Sequence, residues 1–221
     1  MTTSDSWDAA AEVASCPLIE WSGRVWRAHR PKYGALEPGG SRRISGRYNC
    51  GANDDVGFQT IAAEVSERWC ALYLVARQTS IDRLALCRQH GVRPRGTHQN
   101  SSDTPLALES GGCVIEVIRH TTKDTFDQLN HRLTEIQVEA FRVLDCSDPA
   151  TVGLTRAHLF QPRDYRYTHK LALAAIKRGA EAILVPSATG VCDNLIYFPE
   201  YADERSSLTI LRHTDPPYHL D

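Results

Sequence analysis

The sequence has 221 residues, 42% hydrophobic and 24% charged, with a formal net charge of −2. That length supports one domain with a good core, and the near-neutral charge excludes the broad basic field of a nucleic-acid or anionic-membrane binder. No apolar run approaches membrane-spanning length, the acidic start does not read as a signal peptide, and seven scattered cysteines without a Cys-x-x-Cys pair predict reduced thiols in a cytoplasmic protein.

In chain order, residues 1–17 are polar and alanine-rich and are expected to be frayed. Leu18 to His29 is the first ordered segment, with Val25 and Trp26 supplying strand-like bulk beside Arg27. Residues 31–45 read as a loop rich in Gly, Pro and Arg. There Arg42 and Arg43, followed by Arg47, form either a solvated surface or a phosphate clamp. Residues 59–69 set Ile61, Ala62, Val65 and Trp69 at helical spacing, Cys70 to Ala76 is a strand, and Thr79 to His90 is a helix ended by Gly91.

Residues 91–112 lack periodicity and predict a loop insertion. Cys113 to Arg119 alternates as a strand. Asp124 to Ala140 carries Phe126, Leu129, Leu133 and Ile136 as a helical stripe, and Phe141 to Cys146 is strand-like. Asp164 to Arg178 reads as a second helix, with Leu171, Ala174, Ala175 and Ile176 inward. Two wholly apolar strands follow, Ala182 to Val185 and Leu195 to Phe198, joined by a turn carrying Ser187, Gly190 and Asn194. Leu208 to Arg212 suits an edge strand, and residues 214–221 a loose tail. Helices and strands mix without strict alternation, which predicts an α+β domain over residues 18–213.

Several chemistries find no motif. There is no Gly-x-Gly-x-x-Gly after a strand, no Gly-rich loop ending in Lys-Ser/Thr, and no Gly-x-Ser-x-Gly around Ser187. The nine histidines are dispersed, so no metal site is expected.

Four blocks in order carry a resemblance. They are Ile19-Glu-Trp…Val-Trp-Arg27, Ser41-Arg-Arg-Ile-Ser-Gly-Arg-Tyr-Asn49, Ala71-Leu-Tyr-Leu74, and Leu184-Val-Pro-Ser-Ala188…Asn194-Leu. Together they resemble the RES-domain family, the NAD-degrading toxins of bacterial toxin–antitoxin pairs encoded beside an Xre-like helix-turn-helix antitoxin. The resemblance runs from about Ile19 to Arg212. It implies an ADP-ribosyltransferase-like fold, a mixed or antiparallel sheet core with flanking helices. It also implies cleavage of the nicotinamide–ribose bond of NAD by phosphorolysis or hydrolysis, with inorganic phosphate a possible co-substrate and no metal. The implied partners are NAD and the antitoxin, with no nucleic acid or membrane; a homodimer stays open.

By position, the resemblance gives catalytic roles to Arg27, Ser187 and Tyr48, and substrate-binding roles to Arg47, Asn49, Tyr73 and Asn194. Nicotinamide leaves through an oxocarbenium-like state, so the site must place negative charge near the ribose and hold the diphosphate still. Arg27 and Arg47 suit the diphosphate, Tyr48 and Tyr73 can stack on nicotinamide or simply pack, and Ser187 can hydrogen-bond ribose or the incoming nucleophile. The family's glutamate falls near Leu84, yet no Glu occurs from Trp69 to Leu108, and Asp82 is the nearest carboxylate. That departure keeps two other readings open: a RES-like protein with weakened catalysis that binds a nucleotide or protein partner, and an ADP-ribosyltransferase acting on a macromolecule.

Overall fold

The computed structural model describes residues 7–37, 47–48, 72–78, 131–162, 164–188 and 192–215, and within 72–78 the backbone and the Leu74 side chain. The elements are α1 (Ala9–Ser15), β1 (Leu18–His29), β2 (Leu72–Gln78), β3 (Arg132–Asp145), α2 (Arg156–Phe160), α3 (Arg166–Lys177), β4 (Ala182–Pro186), β5 (Cys192–Tyr197) and β6 (Ser207–Thr214). Short 3-10 turns lie at Pro149–Val152 and Pro199–Tyr201. The α+β class expected from the sequence holds.

The strands form one six-stranded sheet in the order β1-β2-β5-β4-β3-β6, and β1 also pairs with β3. The pairing therefore returns on itself, closing a ring from which only β6 is excluded. The length of β3 makes this possible. Its first part, Leu133 to Glu139, lies between β1 and β6, and Val143 to Asp145 then takes β4 in parallel. The other pairings are antiparallel.

Two apolar clusters follow from this geometry. All the ring strands contribute to one, through Val25, Leu74, Ile136, Leu184 and Leu195, so it fills the inside of the ring. The other lies on the outer face, where Ile183, Val185, Ile196 and Phe198 meet Val13 of α1 and Leu171, Ala172 and Ala175 of α3. Alternate residues of β4 enter opposite clusters, and all of its residues are buried. Burial on both faces is why its sequence is apolar without interruption.

Helix α3 stops where Gly179 takes φ 90°, a conformation that suits glycine. The Gly179 N–H then bonds Ile176 O at 2.8 Å and the Ala180 N–H bonds Ala175 O at 2.9 Å, satisfying the last turn and turning the chain into β4. Between them sits Glu181, whose fully buried carboxylate accepts from Phe141 N (2.7 Å), Arg142 N (3.0 Å), Asp203 N (3.0 Å) and Ser206 Oγ (2.8 Å). One acid thus joins β3, the start of β4 and the loop into β6.

Three expectations are corrected. Asp124 to Ala140 does not form one helix, because Arg132–Asp145 is a strand. The stripe of Leu129, Leu133 and Ile136 suits a helix, but Ile136, Val138 and Ala140 also alternate, and β1 and β6 hold the two edges of that segment. The N-terminus is not frayed throughout, since Ala9–Ser15 is helical and Val13 is 1% exposed. Asn194 belongs to β5 rather than to the turn. The expected helices at 59–69 and 79–90, the insertion at 91–112, the strand at 113–119, and Arg42 and Arg43 lie outside the described residues.

Candidate functional site

The β4–β5 hairpin presents Ser187. Register pairs run from Ala182↔Tyr197 to Pro186↔Asp193, and the Ser187 N–H then bonds Cys192 O at 2.9 Å. Ser187 is fully buried at this strand end. Its carbonyl accepts from Arg156 Nη2 at 3.1 Å.

Arg156 opens α2, whose start is fixed by a reciprocal cap: Thr155 Oγ1 accepts from His158 N, and Thr155 N donates to His158 Nδ1. The exposed Arg156 guanidinium sits 5.4 Å from the centroid of the half-buried Phe160 ring. Arg47 approaches that ring as well, at 5.8 Å, and lies 5.4 Å from Tyr165. Arg47 Nη1 also donates to Leu159 O. Through α2, then, Arg47 and Ser187 belong to one cluster, with Arg156 and Phe160 between them. Among the described residues, no carboxylate pairs with either guanidinium.

Tyr48 is 2% exposed and belongs to the outer-face core with Leu159 and Val185. Packing is therefore its visible role, and a catalytic role rests on the resemblance. Tyr73 is paired through its backbone with Ile196. Asn49 and Asp82 lie outside the described residues.

Arg27 occupies a different place. The partners Trp26↔Val75, Val75↔Asn194 and Asn194↔Val185 define one row across β1, β2, β5 and β4. Arg27 is one residue to one side of this row and Ser187 two residues to the other. Their strands are about 14 Å apart along the sheet, with Asn194 between them. Arg27 Nη1 donates to Ala35 O and Nη2 to Glu37 O at 2.6 Å, which holds the loop after β1 against its strand. Leu36 of that loop packs on the cluster inside the ring.

His29 anchors the same loop. Its Nδ1 lies 3.0 Å from Tyr33 O, so Nδ1 carries the proton and donates. Nε2 then accepts from Thr134 Oγ1 at 2.8 Å, and that oxygen can accept from His213 Nδ1, also at 2.8 Å. Burial pulls the His29 pKa below its ordinary value, the carbonyls of Arg30 and Tyr33 oppose this, and the Arg27 and His213 charges add to the lowering.

Two buried carboxylates are already committed. Glu135 is 3% exposed, with Arg212 Nε at 2.6 Å and Arg24 Nη1 at 3.5 Å, and Glu181 is held by the donors described above. Among the described residues, no cluster of three His, Cys, Asp or Glu is placed to hold a metal, and no helix is long and apolar enough to cross a membrane.

Sequence reasoning missed Arg156, Phe160 and Tyr165. A helix of five residues is too short to show periodicity, so the available signal was the Thr155 cap with His158 three positions on.

The family described as RES domain matches residues 106–221, more than half of the chain. Ser187 and Asn194 fall inside that match, while Arg27, Arg47, Tyr48, Asn49, Tyr73 and Asp82 precede it. No curated protein matches the sequence. Among solved structures, a chain of the M. tuberculosis MbcT–MbcA toxin–antitoxin complex is similar, with a TM-score of 0.62 and 19% identity, covering 94% of this chain and 91% of that one. At that identity the likeness is one of fold.

Proposed function

Because this chain belongs to the RES-domain family, we propose that it is the toxin of a toxin–antitoxin pair, an enzyme that cleaves the nicotinamide–ribose bond of NAD and depletes the cell of it. The observation that carries this reading is the grouping of Arg47 and Arg156 about Phe160 at Ser187, of which Arg156, Phe160 and Ser187 lie inside the family match. Two guanidiniums without a carboxylate partner among the described residues suit a ligand rich in phosphate oxygens.

In this reaction the electrons of the C1′–N bond pass to the nicotinamide ring, which leaves neutral, and the ribose C1′ becomes cationic. Phosphate or water then attacks C1′. Arg47 holds the diphosphate, and Ser187 hydrogen-bonds the ribose or the nucleophile. Asn194 lies between β1 and β4, where an extended dinucleotide would cross the sheet. Arg27 keeps the neighbouring loop in place. Asp82 is the candidate for the carboxylate that stabilises the ribose cation. An Xre-like antitoxin that occludes this site, and a cytoplasmic location, go with the reading.

One departure favours a second reading. The absence of Glu from Trp69 to Leu108 suits a protein that keeps its nucleotide but turns it over weakly. Expression in a bacterial host separates the two. The first reading expects the cellular NAD pool to fall on induction and to be spared by Ser187→Ala. A full pool with well-expressed soluble protein would leave only the second.

A further inference from the structure

We propose that Arg156 and Arg47 form a two-guanidinium clamp for a phosphoryl group, with Phe160 as its wall and the Ser187 hairpin at its rim. The clamp itself stands on the contacts at α2; naming the phosphate as belonging to the NAD reaction rests on the function proposed above.

Each guanidinium lies within 5.8 Å of the Phe160 centroid, so two like charges are held about one ring. The ring face offsets part of their repulsion. A shared oxyanion would remove the rest, because no carboxylate pairs with either one among the described residues.

Their orientation is also set in advance. Arg47 donates to Leu159 O and Arg156 to Ser187 O, which fixes each fork while leaving other N–H groups for a ligand. Planar forks held in this way match phosphate oxygens in pairs. Arg156 is exposed and Arg47 and Phe160 are half-buried, so the clamp is open to solvent on one side and backed by protein on the other. The sequence suggested Arg27 as the partner of Arg47. Arg156 takes that position here, since Arg27 stands on β1 beside the loop of Ala35 and Glu37 rather than at α2. The bond from Arg156 to the Ser187 carbonyl further ties an occupied clamp to the hairpin that positions Ser187.

The phosphoryl group has two sources: the diphosphate of the dinucleotide, or free phosphate arriving as the nucleophile. Calorimetric binding of ADP-ribose and of inorganic phosphate, at low ionic strength and without turnover, tests both. Arg156→Gln is expected to weaken one of them roughly ten- to a hundredfold, and Arg156→Lys, which keeps the charge but not the fork, to weaken it less. Loss confined to ADP-ribose assigns the clamp to the substrate diphosphate, and loss confined to phosphate assigns it to the acceptor. Both affinities unchanged in Arg156→Gln would overturn the clamp. Because Arg156 is exposed, its variants should melt with the wild type. A protein that binds either probe through Arg156 yet releases no nicotinamide from NAD would overturn the proposed reaction and leave the clamp standing.

Discussion

Glu181 shows how much one residue can hold. Its carboxylate is fully buried and accepts from three backbone N–H groups and the Ser206 hydroxyl. The neighbouring Tyr197 hydroxyl is pushed up to about 12 by burial, and the Glu181 charge beside it adds to the rise, so it stays protonated and donates. Glu181→Ala would strand those backbone donors inside the protein. We expect a loss of about 3 kcal/mol or more in urea unfolding, whereas Glu204→Ala on an exposed turn should change little.

His29 makes a pH-dependent contribution. Its folded pKa lies below the ordinary 6.5, so its stabilising effect is complete above that value and is lost as the pH falls through the folded pKa. The charged groups set against it are Arg27 and His213, and Asp215 feels the same two histidines. Melting temperatures taken between about pH 5 and pH 8 should decline on the acid side, and His29→Gln should flatten that decline. At this scale the proposed site was partly legible, because Ser187 and Arg47 lie in blocks that carry the resemblance. The sequence hid Arg156, whose importance comes from a ring and a carbonyl that only folding brings near.

Among the elements, β3 and α1 are the instructive cases. In β3 two periodicities overlap, and local pattern could not choose between them. The choice comes from pairing with β1 and β6, which are more than sixty residues distant in sequence. Strand β4 and the second half of β5, Leu195 to Tyr197, were legible because burial on both faces demands an apolar run, whereas Asp193 and Asn194 broke the pattern at the start of β5 and read as turn.

Helix α1 is too short to announce itself, and its stability comes from what it touches. Asp8 caps it, Val13 enters the outer core, Trp7 Nε1 donates to Val152 O at 2.9 Å, and Arg178 Nη1 donates to Val13 O. Removing residues 1–17 should therefore lower the melting temperature of the remaining domain. In the full chain, Asp8→Ala should cost about 1 kcal/mol and Val13→Ala about 2 kcal/mol. A truncated protein melting with the full chain would show α1 to be dispensable.

Across the whole molecule, the closed pairing of β1 with β3 sets the architecture. It encloses one core, leaves the opposite face of β4 and β5 for the helices, and among the described strands leaves β6 at the open margin, where Ile210 and Leu211 are exposed. Closure of this kind relies on contacts far apart in the chain, so it was invisible to local reading even though the α+β class was not. The pairings of β1 with β2, β2 with β5 and β5 with β4 set the row through Trp26, Val75, Asn194 and Val185 that separates Arg27 from Ser187.

Nicotinamide release by the purified chain tests the central claim most directly. The protein is incubated with NAD, with and without inorganic phosphate, alongside Ser187→Ala. We expect release by the wild type that Ser187→Ala abolishes or cuts by at least about tenfold, roughly 1.4 kcal/mol in the barrier. Faster release with phosphate would identify it as the acceptor. Folded wild-type protein that releases no nicotinamide under either condition would contradict the claim.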